Sequence, residues 1–139
     1  MAAKKQRFIS DKVTESPPGH WSNTIRVGDH IWLSGFTARA NDLKSIHGEG
    51  DPYEQAKTIF KKIKHCLEAA GSAMADVTTM TIYVTDMAHN KDVWRARQEF
   101  FSSDFPCSTL VQVAALAQPE ILLEITAQAM AGSGTPDGV

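Results

Sequence analysis

Residues 51–85, DPYEQAKTIFKKIKHCLEAAGSAMADVTTMTIYVT, decide the fold because they set an amphipathic helix directly before a strand. Asp51 suits the N-cap, Pro52 suits the first helical position, and Glu54 completes the spacing of a capping box. Gly71 is the residue type that commonly follows a helix. Between these ends, apolar residues recur at helical intervals: Tyr53, Ala56, Ile59, Phe60, Ile63, Leu67 and Ala70. Residues 77–85 are dense in β-branched side chains, which favour a strand.

The segments on either side of this unit predict the remaining elements. Upstream, residues 21–27 and 31–35 are short β-type runs separated by a Gly-Asp turn signal, which predicts a hairpin followed by a loop over residues 36–50. Downstream, residues 90–102 predict a second helix. Residues 109–114 and 121–130 predict two final strands, connected through Ala117, Gln118 and Pro119. The predicted class is α+β, in the order β-β-α-β-α-β-β.

Two helices cannot cover both faces of a sheet of this width, so we expect both to pack on one face of a mixed sheet. The last strand, residues 121–130, carries apolar residues in both of its alternating sets. One set holds Ile121, Leu123, Ile125, Ala127 and Ala129, and the other holds Leu122 and Met130. A strand that is apolar on both sides is typically buried on both sides, which predicts a second subunit on the face that the helices leave open.

The ends of the chain differ in composition from the middle. Residues 1–16 are polar and lysine-rich, and we expect them to be flexible. Residues 132–139 are small and polar, and we expect a disordered tail. A single domain over residues 17–131 remains, which suits a chain of 139 residues.

Composition and charge narrow the class of protein. With 42% hydrophobic and 22% charged residues, the chain can form a globular core. The net charge of −2 and the lack of interleaved basic and aromatic residues weigh against nucleic acid as a partner, and no run is long and apolar enough for a membrane span. The lysine-rich run Lys57, Lys61, Lys62 and Lys64 is interpreted as the solvated face of a helix.

Cysteine usage and motif content address location and cofactors. Cys66 and Cys107 have no disulfide framework spacing and no secretory signal before them, so they predict free thiols in a reducing cytoplasm. The sequence contains no metal-ligand spacing, no P-loop and no dinucleotide-binding glycine motif. We therefore expect neither a metal nor an organic cofactor.

Several short strings, in this order and spacing, resemble the Rid/YjgF family over residues 17–131. They are GHWS at 19–22, RVGD at 26–29, LSG at 33–35, EAAG at 68–71, FP at 105–106, VQV at 111–113 and LEI at 123–125. The resemblance implies a chorismate-mutase-like fold and a homotrimer with ligand clefts between subunits. It also implies cofactor-free hydrolysis of small reactive enamines or imines to ammonia and a keto acid.

The resemblance also assigns roles to residues of this chain. Glu124 matches a glutamate that positions water, the backbone of Gly35 matches a cleft-lining donor, and Trp21 stands where an aromatic residue lines the cleft. Ser108 stands where the family usually has an arginine that grips the substrate carboxylate. We further expect Thr109, Cys107, Trp94 and Arg39 to contact the substrate, although Trp94 stands where many family members have a small polar residue.

Replacing arginine by Ser108 changes the expected chemistry. Arginine offers a charged, bidentate fork to a carboxylate, whereas serine offers one neutral hydroxyl. Carboxylate binding should weaken, and Glu124 should lose a cation that holds it ionised, so burial should raise its pKa. We therefore predict a substrate that is neutral or anchored differently from a simple 2-imino acid, unless Arg39, Arg95 or Arg97 supplies the charge.

Structural interpretations of the same residues stay open at this level. Trp21 and Trp94 also suit core or interface aromatics, and Arg39 suits a solvated surface. Cys107 suits either a nucleophile or a small buried side chain. For the whole protein, the alternatives to an enzyme are a metabolite-binding or scavenging protein, and a partner of RNA or other macromolecules.

Overall fold

The computed structural model describes residues 2–134, which form a six-stranded mixed sheet with two α-helices. The elements are β1 Gln6–Phe8, β2 Thr24–Val27, β3 His30–Leu33, α1 Pro52–Ala69, β4 Val77–Val84, α2 Asn90–Gln98, β5 Cys107–Gln112 and β6 Leu123–Met130. The strand order is β1-β2-β3-β6-β4-β5, and β4 with β5 is the one parallel pair among them. The predicted α+β class and mixed sheet are confirmed.

Helix α1 begins and ends where its sequence predicts. The Asp51 side chain accepts a hydrogen bond from the backbone N–H of Glu54 at 3.1 Å, and Pro52 occupies the first turn. At the other end Gly71 adopts φ +78°, which only glycine accommodates without strain. The N–H of Ser72 then donates to the carbonyl of Leu67 at 2.8 Å, which completes a Schellman motif.

Several boundaries differ from the sequence prediction. Within the N-terminal segment that we expected to be flexible, β1 pairs antiparallel with β2. Trp21 precedes β2 instead of lying in it, and α2 ends at Gln98, four residues before the predicted end. β5 begins at Cys107, so Cys107 and Ser108 belong to the strand. The sequence does not reveal β1, because this strand is mostly polar and shows no apolar alternation. This edge strand is held by its backbone hydrogen bonds to β2.

Both helices pack on one face of the sheet, where the core lies. Buried side chains of β3, β4 and β6 form one apolar cluster with those of α1 and α2, and its central members include Ile31, Phe60, Ile82, Val93 and Ile125. The opposite face, called here the open face, carries Trp32, Val111 and Met130, each more than a third exposed.

The last strand is less apolar on its second side than we expected. Leu123, Ile125, Ala127 and Ala129 of β6 are buried on the helix side, as predicted. The alternating set is Glu124, Thr126, Gln128 and Met130, and Leu122 lies before the strand begins. The apolar character of the open face therefore comes mainly from neighbouring strands, and a covering subunit stays a prediction.

The first residues of the predicted tail are tied to the domain by Asp76. This buried carboxylate accepts hydrogen bonds from the backbone N–H groups of Gly132 and Gly134 at 3.0 and 2.8 Å. It also accepts from the hydroxyl of Ser72 at 2.6 Å and from the N–H of Ala73 at 3.2 Å. The rest of the predicted tail, residues 135–139, lies outside the described residues.

No helix formed by residues 2–134 has the length and apolar character needed to cross a membrane.

Candidate functional site

The carboxylate of Glu124 rests on the backbone of Gly35. The chain leaves β3 and pairs again with β6 through Phe36 and Ile125, whose backbone groups exchange hydrogen bonds of 2.9 and 3.0 Å. This bridge holds Gly35 beside Glu124 so closely that a Cβ added to Gly35 would lie 3.0 Å from the Glu124 Cδ. The φ of Gly35 is not in the left-handed region, so its backbone conformation does not require glycine. Glycine is required because any Cβ would collide with the Glu124 carboxylate.

Two opposing effects act on the protonation of Glu124. Burial of the half-exposed side chain raises its pKa, and the positive charge of Arg39 opposes this by lowering it. Burial is the larger effect, so the pKa of Glu124 is raised, in the direction that the sequence predicted. A carboxyl group with a raised pKa can both take up and return a proton near neutral pH.

Arg39 belongs to a small cavity of about 90 Å³, whose lining also includes Trp21, Gly35 and Lys62. We call it the Trp21 cavity. The Nε of Arg39 is buried and has no hydrogen-bond partner within residues 2–134. Arg39 therefore does not behave as an ordinary solvated arginine. Trp21 is 54% exposed, so it is not a core residue of the protomer.

Lys62 is a site residue that the sequence analysis missed. It was grouped with the solvated lysines of α1, and this interpretation is wrong for Lys62. Its Nζ donates to the carbonyl oxygens of Thr37 at 2.7 Å and of Arg39 at 2.5 Å. Burial, with the charge of Arg39 as a second cause, lowers the pKa of Lys62 to about 8. A signal was present, because Lys62 lies three residues after Ile59 and four before Cys66, on the border of the apolar stripe.

A second group of predicted site residues lies at the edge strand β5. Cys107 and Thr109 are exposed on the open face, in register with Thr79 and Thr81 of β4. Of the two alternatives for Cys107, a small buried side chain is wrong, because this thiol is exposed. Ser108 alternates to the helix side of the same strand, in register with the buried Met80.

Helix α2 brings a cation to Ser108. The Nη1 of Arg97 donates to the Ser108 hydroxyl at 2.9 Å. Trp94, 46% exposed, lies one turn earlier on α2 and therefore on a neighbouring part of its surface. The sequence named Arg97 as one of three arginines that could supply the missing charge, and the contact with Ser108 distinguishes it from Arg39 and Arg95.

Within one protomer, Glu124 lies far from the second group of site residues, which is at the β5 edge. Thr109 aligns through Thr81 with Thr126, two residues from Glu124 on β6. Two strand spacings and two residues of rise separate the Cα atoms of Thr109 and Glu124 by about 12 Å. Ser108 and Arg97 lie on the opposite side of the sheet from Glu124. A small ligand cannot touch Glu124 and Ser108 of the same chain.

The described residues offer no metal centre. No group of three or more His, Cys, Asp or Glu side chains within residues 2–134 is placed to hold a metal ion. The two groups of site residues offer a carboxyl group, an amine, two guanidinium groups, the hydroxyls of Ser108 and Thr109, and the thiol of Cys107.

Comparison with known proteins gives consistent matches over nearly the whole chain. A family model described as endoribonuclease L-PSP matches residues 13–131. A 2-iminobutanoate/2-iminopropanoate deaminase of Dermatophagoides farinae is 30% identical over 114 residues, which is 80% of this chain and 86% of that protein. A RutC family protein of Pyrococcus abyssi is 31% identical over 123 residues, 88% of this chain and 94% of that protein.

Solved structures show the same fold. A protein of unknown function from Pseudomonas aeruginosa superposes with a TM-score of 0.82 at 35% identity, covering 94% of each chain. A protein of the conserved Rid family from Yersinia pestis gives a TM-score of 0.83 at 25% identity, covering 92% of this chain and all of the other, 100%.

Proposed function

Because the chain belongs to the Rid/YjgF family, whose matched model is described as endoribonuclease L-PSP, we propose that it is a hydrolase of the deaminase type acting on a small reactive enamine or imine. Glu124 is the acid/base group, and the site is a cleft between subunits. The observation that carries the proposal is the half-buried carboxylate of Glu124, held on the backbone of Gly35 with its pKa raised. The deaminase name of the Dermatophagoides farinae relative supports the reaction class.

The reaction needs one proton carrier and no redox step. Hydrolysis of an imine consumes one water and yields ammonia and a carbonyl compound. The ionised Glu124 accepts a proton from the attacking water as the C–O bond forms. It passes this proton to the nitrogen, which gives a carbinolamine. Glu124 then takes the hydroxyl proton of the carbinolamine and delivers it to the nitrogen as the C–N bond breaks, so ammonia leaves, the C=O bond forms and the carboxylate is restored. The absence of a Cβ on Gly35 lets the Glu124 carboxylate lie directly against the backbone, which fixes its position for the transfer.

In this proposal Arg97 anchors the substrate carboxylate, in place of the arginine that the family resemblance implies at the position of Ser108. Arg97 places its guanidinium on the Ser108 hydroxyl from the neighbouring helix, so a cation and a hydroxyl are available together. The contact between Arg97 and Ser108 supports a substrate that is anchored differently from a simple 2-imino acid held by an arginine at Ser108. An acid is still a suitable substrate, because Arg97 can hold its carboxylate.

The two groups of site residues are combined by a second copy of the chain. Within one protomer Glu124 and Ser108 lie on opposite sides of the sheet, so a complete site needs Glu124 of one subunit and the β5 edge of another. The open face, with Trp32, Val111 and Met130 exposed, is the surface that a homotrimer would cover. The proposal therefore includes the homotrimer that the family resemblance implies.

Generation of 2-iminopropionate by an amino-acid oxidase, followed by measurement of ammonia release, tests the proposal directly. The proposed enzyme accelerates release over the buffer reaction, and it acts also on other short imines and enamines. Binding without acceleration across that panel would overturn it in favour of the metabolite-binding or scavenging alternative, which the loss of arginine at Ser108 favours. RNA as substrate is disfavoured by the net charge of −2.

Arg97→Gln is expected to raise KM for a carboxylate-bearing imine at least about ten-fold, because a charge-assisted contact contributes about 1.5–3 kcal/mol. Turnover of an uncharged imine should change little. The measurement is kcat/KM for the two substrates, with Arg95→Gln as the matched control, since Arg95 pairs with Asp92 and Tyr53 instead. An equal loss on both substrates would contradict the role of Arg97 as the carboxylate anchor.

The same variant tests whether the site is shared between subunits. Arg97→Gln and Glu124→Gln chains, each impaired alone, are unfolded together and refolded as mixed oligomers. About a quarter of shared sites then combine an intact Glu124 with an intact Arg97 from the other chain, so activity returns. No recovery in oligomers shown to be mixed would place both residues of a working site in one chain.

Gly35→Ala is expected to lower kcat about 100-fold, because the added methyl group occupies the space of the Glu124 carboxylate and displaces it by about 1 Å or more. KM should change much less than kcat. Steady-state kinetics would measure this, with Thr126→Ala as a control on the same side of β6. Unchanged kcat in a folded Gly35→Ala variant would show that the position of Glu124 is not critical.

A further inference from the structure

We propose that Lys62 is a nucleophilic amine that condenses with a small 2-oxo acid in the Trp21 cavity to form a Schiff base. The proposal concerns a second chemistry in this chain and does not depend on turnover by Glu124. Three features of the structure support it: the hydrogen bonds of the Lys62 amine, the charged groups around it, and the residues that line the cavity.

The hydrogen bonds of Lys62 match a neutral amine. A neutral amine has two N–H donors and one lone pair. The two carbonyl oxygens of Thr37 and Arg39 accept those two donors at 2.7 and 2.5 Å. No third acceptor within residues 2–134 meets the Nζ, so the additional proton of an ammonium group gains no partner from the described protein. Lys62 also lines the Trp21 cavity, so an electrophile bound there lies beside the amine.

The surroundings also disfavour the ammonium form. Lys62 is largely buried, and the guanidinium of Arg39 from the neighbouring loop adds a like charge. Cys66, one turn along α1, acts in the opposite direction but less strongly, and Glu15 interacts with Cys66. The net result is the pKa of about 8. A substantial fraction of Lys62 is therefore neutral at slightly alkaline pH, unlike an ordinary surface lysine.

The cavity wall selects the class of carbonyl compound. Its volume of about 90 Å³ admits a molecule of a few heavy atoms only. Arg39 lines the same cavity, and its buried Nε has no partner in the described part of the chain. A carboxylate satisfies a guanidinium of this kind. The side chain of Trp21 supplies an apolar wall. A short acid with an adjacent carbonyl group fits these three features.

The covalent step balances without a redox partner. The lone pair of Nζ attacks the carbonyl carbon, the electrons of the C=O π bond pass to its oxygen, and one of the two amine protons is transferred to that oxygen. The resulting carbinolamine loses this hydroxyl as water together with the remaining proton of the nitrogen. The product is a C=N bond to Lys62 and one molecule of water. Hydrolysis reverses the step and frees the acid.

The test traps the Schiff base with borohydride. The full-length protein is incubated with glyoxylate near pH 8, reduced, digested and mapped by mass spectrometry. Lys62 is expected to be labelled at least about ten-fold faster than Lys61 and Lys64, which are exposed on the same helix. Equal labelling of the three lysines would overturn the proposal.

Two variants test the site and its selectivity. Lys62→Met removes the acceptor of the label and should abolish it at this position, while circular dichroism checks that the chain is folded. Arg39→Gln should lower the ratio of glyoxylate to acetaldehyde labelling at Lys62, because the neutral aldehyde does not need the guanidinium. An unchanged ratio would overturn the assignment of 2-oxo acids. Labelling requires no turnover, so it fails or succeeds separately from the Glu124 hydrolase.

Discussion

Glu124→Gln is expected to lower kcat for imine hydrolysis at least about 100-fold, within the 10²–10⁴-fold range of a positioned acid/base group. The substitution keeps the size of the side chain and removes its ability to exchange a proton. KM should stay nearly unchanged, because in the proposed site the carboxylate of the substrate is held by Arg97. The variant should therefore lose turnover while it still binds substrate.

The measurement combines steady-state kinetics with ligand binding by calorimetry. Glu120→Gln is the matched control, because Glu120 is an exposed glutamate in the segment before β6 and should leave kcat unchanged. Retained binding with lost turnover supports an enzyme. Retained turnover in Glu124→Gln would contradict the assignment of Glu124 as the acid/base group and give that role to another group.

The pH profile provides a second readout of the same group. Glu124 works as a base when ionised, so activity should fall as pH decreases through its pKa. Because burial raises that pKa, the fall should begin at a higher pH than for an ordinary glutamate. Arg39→Gln removes the charge that lowers the pKa, so the acidic limb of kcat/KM should move to still higher pH. A shift to lower pH would contradict the interaction.

Asp76→Ala is expected to lower the free energy of unfolding by about 3 kcal/mol, because four donors lose an ionised acceptor and three of them are backbone N–H groups. The carboxylate joins the turn after α1 to the segment that follows β6. Its loss should therefore loosen residues 132–134 and the α1–β4 connection together. Asp76→Asn should have an intermediate effect, since one acceptor oxygen remains.

Urea unfolding monitored by fluorescence measures this change. Asp11→Ala, at an exposed aspartate, should stay within about 0.5 kcal/mol of the parent. Burial by itself would raise the pKa of Asp76, but the four hydrogen bonds outweigh it and the pKa is lowered. The stabilisation is therefore present above the pKa of the unfolded chain and is lost as pH falls through the folded-state value. Equal acid sensitivity of the parent and Asp76→Ala would contradict this.

The candidate site shows where sequence-based reasoning succeeds and where it stops. Glu124 and Gly35 were identified because short strings around them resemble a known family, and the structure places the two in contact. The raised pKa of Glu124 was predicted from burial together with the absence of an arginine at Ser108, and burial is its largest cause in the structure. Lys62 was misassigned because it was treated like its neighbours. Lys61 and Lys64 are exposed, whereas Lys62 lies at the border of the buried face of α1. Arg97 could not be chosen over Arg39 and Arg95, since nothing in the local sequence of α2 reports its contact with Ser108.

Local sequence patterns were enough to predict both helices, every strand of the described residues except β1, and the face on which the core lies. These predictions used local patterns, which follow from backbone geometry over a few residues. The patterns are the capping residues Asp51 and Gly71, the helical spacing in α1 and the alternation in β6. Which side chains meet, by contrast, depends on contacts between distant segments. The contact of Arg97 with Ser108, the two carbonyl partners of Lys62 and the separation of Ser108 from Glu124 each depend on strand order and register. Those are set by the packing of segments distant in the chain, and no local period encodes them.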